Sequence, residues 1–147
     1  MELTDKVRTL QMIYAGALAD TVKRLDNEGV LEKVTLQKRS EQLLSGKMRA
    51  AQMGMVQEQD VFIKLADLMG CADWSIAVNE DNGGFTATAS RCMLCAMAKK
   101  FGAQSPCHIY CLDPMEGMVK GLNDKADFAV DSTLYESSKC CVKISVE

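Results

Sequence analysis

The hydrophobic period of this chain changes once, near Cys71, and that change constrains the fold more than any other feature. Before it, apolar residues recur every three or four positions. From Thr4, read as an N-cap, the series Val7, Leu10, Tyr14, Ala17, Leu18, Thr21 and Leu25 forms one helical stripe, and Asn27 and Gly29 end it. A second helix is predicted from about Thr35 through Leu43, Leu44, Met48, Ala51 and Met55, softened by Gly46 and Gly54. A third carries Val61, Phe62, Leu65, Leu68 and Met69 and stops at Gly70.

After Cys71 the pattern shortens. Trp74 to Val78 and Phe85 to Cys92 are rich in β-branched and aromatic residues and flank NEDNGG, so they predict a hairpin. Met93 to Phe101 reads as a helix closed by Gly102. Ser105 and Pro106 then supply the N-cap and N1 of another. Asp113, with Glu116 three residues on, reads as a restart at Pro114. ADFAVDSTLY and KCCVKISV are two more strands. The expectation is an α+β fold: an N-terminal helical layer followed by β-β-α-α-β-β with a four-stranded, mostly antiparallel sheet. It is a single domain over residues 1–147, with a helical part at 1–70 and a cysteine-containing α+β part at 71–147. At 147 residues and 48% apolar content, the chain can bury a core without disulfides.

Charge and hydropathy narrow the function. A net charge of -3 lacks the concentrated basic surface that nucleic acid requires. No apolar run is long enough to span a bilayer, and MELTDKVRTL opens with charges rather than a secretory segment, so the expected compartment is the cytoplasm. In that reducing setting seven cysteines, an odd number, read as free thiols rather than a disulfide framework.

All seven lie from Cys71 onward. Cys92 and Cys95 are three apart where a strand hands over to a helix, a spacing that lets two thiolates share one ion. Cys107 and Cys111 are four apart and so fall on one helix face, with Cys107 in a first turn that favours a thiolate. Together they form C-x2-C-x11-C-x3-C, compatible with four ligands around zinc or an iron–sulfur cluster. Cys140 and Cys141 are adjacent on a strand, so only one of them can reach a shared site. Cys71 reads as core filler, and the ten methionines as adaptable packing. His108, the single histidine, stands where it could take a thiol proton, or be a surface residue with a satisfied hydrogen bond. Asp113 is a helix cap or the group that orients a base. Arg91 is a surface strand residue or a two-point holder of a substrate carboxylate.

From Trp74 to Ile144 the chain resembles the L-2-amino-thiazoline-4-carboxylic acid hydrolase-like family, itself similar to the 4-vinyl reductase-type ligand-binding domains. The resemblance lies in an ordered set of features: Arg91-Cys92 at a strand end, Lys99-Lys100-Phe101-Gly102 closing a short helix, and Cys111-Leu112-Asp113. An apolar strand from Phe128 to Leu134 and a cysteine-opened strand at Lys139-Cys140-Cys141 follow. The resemblance implies an α+β domain around a pocket with cysteines and an aspartate in its wall. The activity it implies is hydrolytic opening of a sulfur–nitrogen heterocycle to an N-carbamoyl-cysteine. The matching positions are Cys92, Cys111, Asp113 and one of Cys140 or Cys141. Cys95 and Cys107 are additions to the pattern, and Glu136-Ser137-Ser138 replaces the usual glycine before the last strand.

Three readings follow. In the first, a thiolate, Cys111 before Cys107, attacks an electrophilic carbon of a carbon–nitrogen bond in a small cyclic thiazoline- or amidine-type substrate. His108 or Asp113 then handles the proton and Arg91 holds a carboxylate. In the second, Cys92, Cys95, Cys107 and Cys111, with Cys140 or Cys141 as substitute, hold a metal in a sensing or ligand-binding module whose N-terminal helices form a homodimer or partner surface. In the third, the cysteines are buried structural residues.

Overall fold

In the computed structural model, which describes residues 1–79 and 83–146, the chain runs α1 (Leu3–Asn27), α2 (Leu31–Gln52), α3 (Glu58–Met69), β1 (Ser75–Val78), β2 (Phe85–Ala89), α4 (Met93–Lys100), a π-helical turn (His108–Leu112), α5 (Asp113–Leu122), β3 (Ala126–Ser132) and β4 (Cys140–Val146). The α+β class and the order of elements agree with expectation. The sheet has the order β1-β2-β4-β3 and every pairing is antiparallel. Part of NEDNGG, residues 80–82, lies outside the described residues. On either side of it, the Asn79 N–H donates to the Gly84 carbonyl at 2.8 Å and ties the hairpin.

Several helix boundaries differ from the sequence reading. Lys6 N–H already bonds to the Glu2 carbonyl, so α1 begins before Thr4, and Glu2 occupies the cap position. Val34 N–H reaches the Val30 carbonyl, which starts α2 at Leu31, and the Thr35 hydroxyl bonds back to Leu31 as an interior residue does. Asp113 is not a cap. Leu112 keeps helical dihedrals, and Asp113 N–H reaches the His108 carbonyl five residues back, so the π turn runs into α5 unbroken. The strand expected through Tyr135 ends at Ser132, and the next opens at Cys140.

Alternation along β2 buries Phe85, Ala87 and Ala89. Their cross-strand partners Ile144, Val142 and Cys140 are buried too. Phe62 of α3 is fully buried and meets Trp74 and Phe85 edge-on, with centroids at 5.1 and 5.7 Å. Burial of such a ring contributes about 1.5–3 kcal/mol, and each well-placed aromatic pair about 0.5–1.5 kcal/mol more. A second cluster, Ala19, Val22, Leu94, Ala98, Ala103 and Ile109, packs α1 on α4.

At three glycines α2 and α5 approach backbone to backbone. A Cβ on Gly46 would overlap the Gly117 carbonyl, one on Gly117 the Gln42 carbonyl, and one on Gly121 the Lys47 backbone. This close approach sets the position of the π turn, because the turn leads directly into α5. The first half of α1 has little packed on it, and Leu3, Val7, Leu10 and Ile13 are exposed. No helix among the described residues is long and apolar enough to cross a membrane.

Candidate functional site

The cysteines converge from four separate parts of the chain. An isolated bridge between Ala72 and Cys92, with Met93 N–H bonded to the Cys71 carbonyl at 2.8 Å, sets Cys71 against the start of α4. Cys71 Sγ then stands 3.5 Å from Cys92 Sγ. One turn along α4, Cys95 Sγ stands 3.5 Å from Cys107 Sγ at the entry to the π turn. A buried void of about 10 Å³, near the lower bound for one water, is lined by Cys92, Cys95, Cys107, Cys111 and Cys140. Of the adjacent strand pair, Cys140 faces this void, while Cys141 Sγ lies 4.0 Å from Asp131. Cys71, expected as core filler, is the sulfur that pairs with Cys92. Its signal was invisible locally because the partner is 21 residues away.

The thiols are electrostatically unequal. Cys92 is the N-cap of α4, and its sulfur accepts from Cys95 N–H at 3.4 Å. The Cys71 thiol, and after it Cys95, holds Cys92 far below the ordinary thiol range. Cys71 is pushed up by the same hydrogen bond and by burial. The Cys95 thiol brings Cys107 down to about 7 and is itself raised. Cys95 carries one proton and can serve one partner at a time. The consistent arrangement is therefore Cys71 donating to Cys92 and Cys95 to Cys107. Burial raises Cys111 well above the ordinary value and Cys140 to about 11. Cys111 is thus held as a thiol, 3.7 Å from Met115 Sδ.

Two larger spaces flank this sulfur wall. A cleft of about 630 Å³ opens beside Cys92 and is bordered by Cys71, Asp73, Ser90, Arg91 and Lys99. Asp73 accepts from Ser90 N–H and Arg91 N–H at 2.7 and 2.8 Å, and the Ser90 hydroxyl first among these contacts brings its carboxyl down to about 2. Arg91 Nε lies 3.7 Å from Asp73 and the side chain is 85% exposed. On the other side, a cavity of about 390 Å³ is walled by α1, α2, α3 and the π turn, with Cys71 and Cys111 in its lining.

His108 and Asp113 are brought together, but with different partners from those expected. His108 Nδ1 is 3.1 Å from Asp113 Oδ1 and shares that oxygen with Arg39 Nη1 at 3.0 Å. Arg39 also grips Glu116 through two contacts at 2.9 and 3.0 Å, and Lys120 reaches Glu116 at 2.8 Å. The cluster clamps α2 to α5 and borders neither the cleft nor the cavity. Asp113 raises the His108 pKa. Burial alone would raise Glu116, but the hydrogen bonds from Arg39 and Lys120 outweigh it and lower its pKa. Among the described residues, no three His, Cys, Asp or Glu side chains are grouped closely enough to hold a metal ion.

An α+β domain with helices packed over a four-stranded antiparallel sheet and a cavity of small-molecule size is the class that fold and site define. The profile of the L-2-amino-thiazoline-4-carboxylic acid hydrolase family matches residues 9–143, and the chain belongs to that family. The fold is also similar to the crystal structure of the phenol-responsive sensory domain of the transcription activator PoxR with phenol. The TM-score is 0.58 at 14% identity, over 90% of this chain and 74% of that one. Likeness at that identity concerns the fold alone. Among curated proteins none matches the sequence.

Proposed function

We propose that the chain is a thiol-dependent, hydrolase-like protein. It acts on a carbon–nitrogen bond of a small cyclic substrate, of thiazoline or amidine type, in the cleft beside Cys92. The observation that carries this reading is the placement of Cys92. It is a helix N-cap sulfur with the Cys71 thiol at 3.5 Å and the Cys95 N–H at 3.4 Å, at the border of a cleft that also holds Arg91. A thiolate at a helix N-terminus is the activated form of the nucleophile. Membership of the hydrolase family supports the reaction class.

In this reading the Cys92 sulfur adds to the carbon of the C=N bond, and the ring nitrogen takes the Cys71 proton. The ring carbon–sulfur bond then breaks, the ring sulfur leaves as a thiolate, and the carbon stays on Cys92 as an isothiourea. Water adds to that carbon and Cys92 departs as a thiolate, one water proton restoring the Cys71 thiol and the other passing to the product thiolate. Arg91 holds a substrate carboxylate from the rim of the cleft. Cys107 and Cys111, the thiols expected to attack, stand behind Cys92 across the void, and His108 with Asp113 serves the α2–α5 clamp. The experiment is turnover of 2-amino-thiazoline-4-carboxylic acid, read as product thiol. Wild type should turn over, Cys92→Ser should lose at least 99% of the rate, and Cys111→Ser should keep most of it. Full activity in folded Cys92→Ser would refute the assignment.

A further inference from the structure

We propose that the 390 Å³ cavity walled by the helices is a separate binding site for an aromatic organic anion, with Arg49 as its charge anchor. It shares only Cys71 and Ala72 with the cleft beside Cys92, so it is a different space from the one assigned to hydrolysis. Its volume is in the range of small-ligand pockets.

The lining is the first argument. Leu65, Leu94 and Met115 supply aliphatic surface, and Tyr14, Trp74 and Tyr110 supply rings. Such walls take a flat, apolar body. The second argument is charge. The lining contains two cations, Lys38 and Arg49, and no aspartate or glutamate, in a chain whose net charge is -3. A cavity selecting a neutral or cationic ligand would not concentrate cations against the balance of the whole chain.

The third argument is an arranged polar pair. Arg49 Nη1 donates to Gln42 Oε1 at 2.7 Å, and Gln42 is only 5% exposed. That contact orients the guanidinium while leaving its other donors without a protein partner among the described residues. The amide nitrogen of Gln42 is likewise without a protein acceptor there. Arginine with two free coplanar donors beside a buried amide is a receptor for a carboxylate or sulfonate. Finally, the sulfurs that reach this cavity, Cys71 and Cys111, are both held as thiols, which suits a space that binds rather than reacts.

The test uses 1-anilinonaphthalene-8-sulfonate as the anion and N-phenyl-1-naphthylamine as its uncharged counterpart. Trp74, the single tryptophan, lines the cavity and reports occupancy by energy transfer to either dye. Wild type should bind the sulfonate saturably at one site. Arg49→Gln, a change at an exposed position, should weaken the sulfonate about tenfold or more while leaving the neutral dye within about twofold. Ala66→Phe, which places a ring in the cavity, should abolish transfer from Trp74 to both dyes at an unchanged melting temperature. The proposal is overturned by absence of saturable binding, by equal loss of both dyes in Arg49→Gln, or by sulfonate binding that survives Ala66→Phe. If Ala66→Phe fails to fold, the Arg49→Gln comparison decides alone.

Discussion

Replacing a helical glycine by alanine ordinarily stabilises a helix by about 1 kcal/mol, because glycine is the more costly residue to order. Gly117 in α5 should reverse that sign. A Cβ there overlaps the Gln42 carbonyl and crowds the Leu43 nitrogen, and both are backbone atoms of a neighbouring helix that no rotamer change can move. Overpacking costs about 1–3 kcal/mol where side chains can adjust, so a backbone clash belongs at the upper end. Net of the propensity gain, Gly117→Ala should cost about 2 kcal/mol. For a chain of this size the melting temperature should then fall by about 4–8 °C. Gly16 in α1 is the internal control: the nearest atom to its added Cβ is Met97 Sδ at 3.7 Å, an ordinary contact. Gly16→Ala should therefore raise the melting temperature by about 2–4 °C. Calorimetry on the two variants reads both signs at once. A Gly117→Ala protein as stable as Gly16→Ala would mean that α2 and α5 are not in backbone contact, and the account of what fixes the π turn would fall with it.

The remaining predictions concern the charges and the thiols. Arg39→Met leaves Asp113 and Glu116 buried without their shared cation, at 3% and 7% exposure. It should cost about 3 kcal/mol in urea unfolding, the low end for a broken buried pair because Arg39 is itself about a third exposed. His108 has a raised pKa, so its contribution is complete below the ordinary histidine value and is lost as pH rises through the folded-state value. Glu116 has a lowered pKa, so its contribution is present above the ordinary carboxylate value and is lost as pH falls through the folded-state value. Melting temperature against pH should therefore decline on both sides, and His108→Gln should remove the part of the alkaline decline that sets in above the ordinary histidine value, leaving the acid side and the later loss from the raised thiols. Iodoacetamide should alkylate Cys92 first, at a rate that hardly falls between about pH 8 and pH 6, whereas an ordinary thiol slows about a hundredfold over that span. Peptide mass spectrometry that finds Cys111 modified first would contradict the assignment of the thiolate.

Much of the scaffold was legible because it rests on local periodicity. The stripe from Val7 to Leu25, the Phe85–Ala89 alternation and the Gly70 stop are each written within one element. What was not legible depends on partners far along the chain. Cys71 looked like a small apolar residue until its 21-residue separation from Cys92 closed to a sulfur–sulfur contact. Nothing near Arg39 in sequence announces two carboxylates 74 and 77 residues away. Gly46 read as a weak point in a helix, yet it is the contact point with Gly117. The spacing of Gly117 and Gly121, four apart on one face, was the available signal for that approach. Asp113 illustrates the opposite error. Asp-Pro with Glu three residues on is a good local capping pattern, but Asp113 sits inside a continuous helical run and its carboxylate meets Arg39 and His108 instead of the backbone of its own first turn.

The π turn at His108–Leu112 takes one residue more than an α-helical turn would. Each residue of an α-helix rotates the side-chain direction by about 100°, so that extra residue offsets everything before it from everything after it by roughly that angle. Cys107 and Cys111 on one side, and the Arg39-bound pair on the other, are thereby phased by a single amino acid. Deleting one residue in this turn would give a helix with better hydrogen bonds and a worse protein, since the sulfurs and the clamp could no longer both face their partners. In this segment chain length is itself information, and related sequences should vary in composition here before they vary in count.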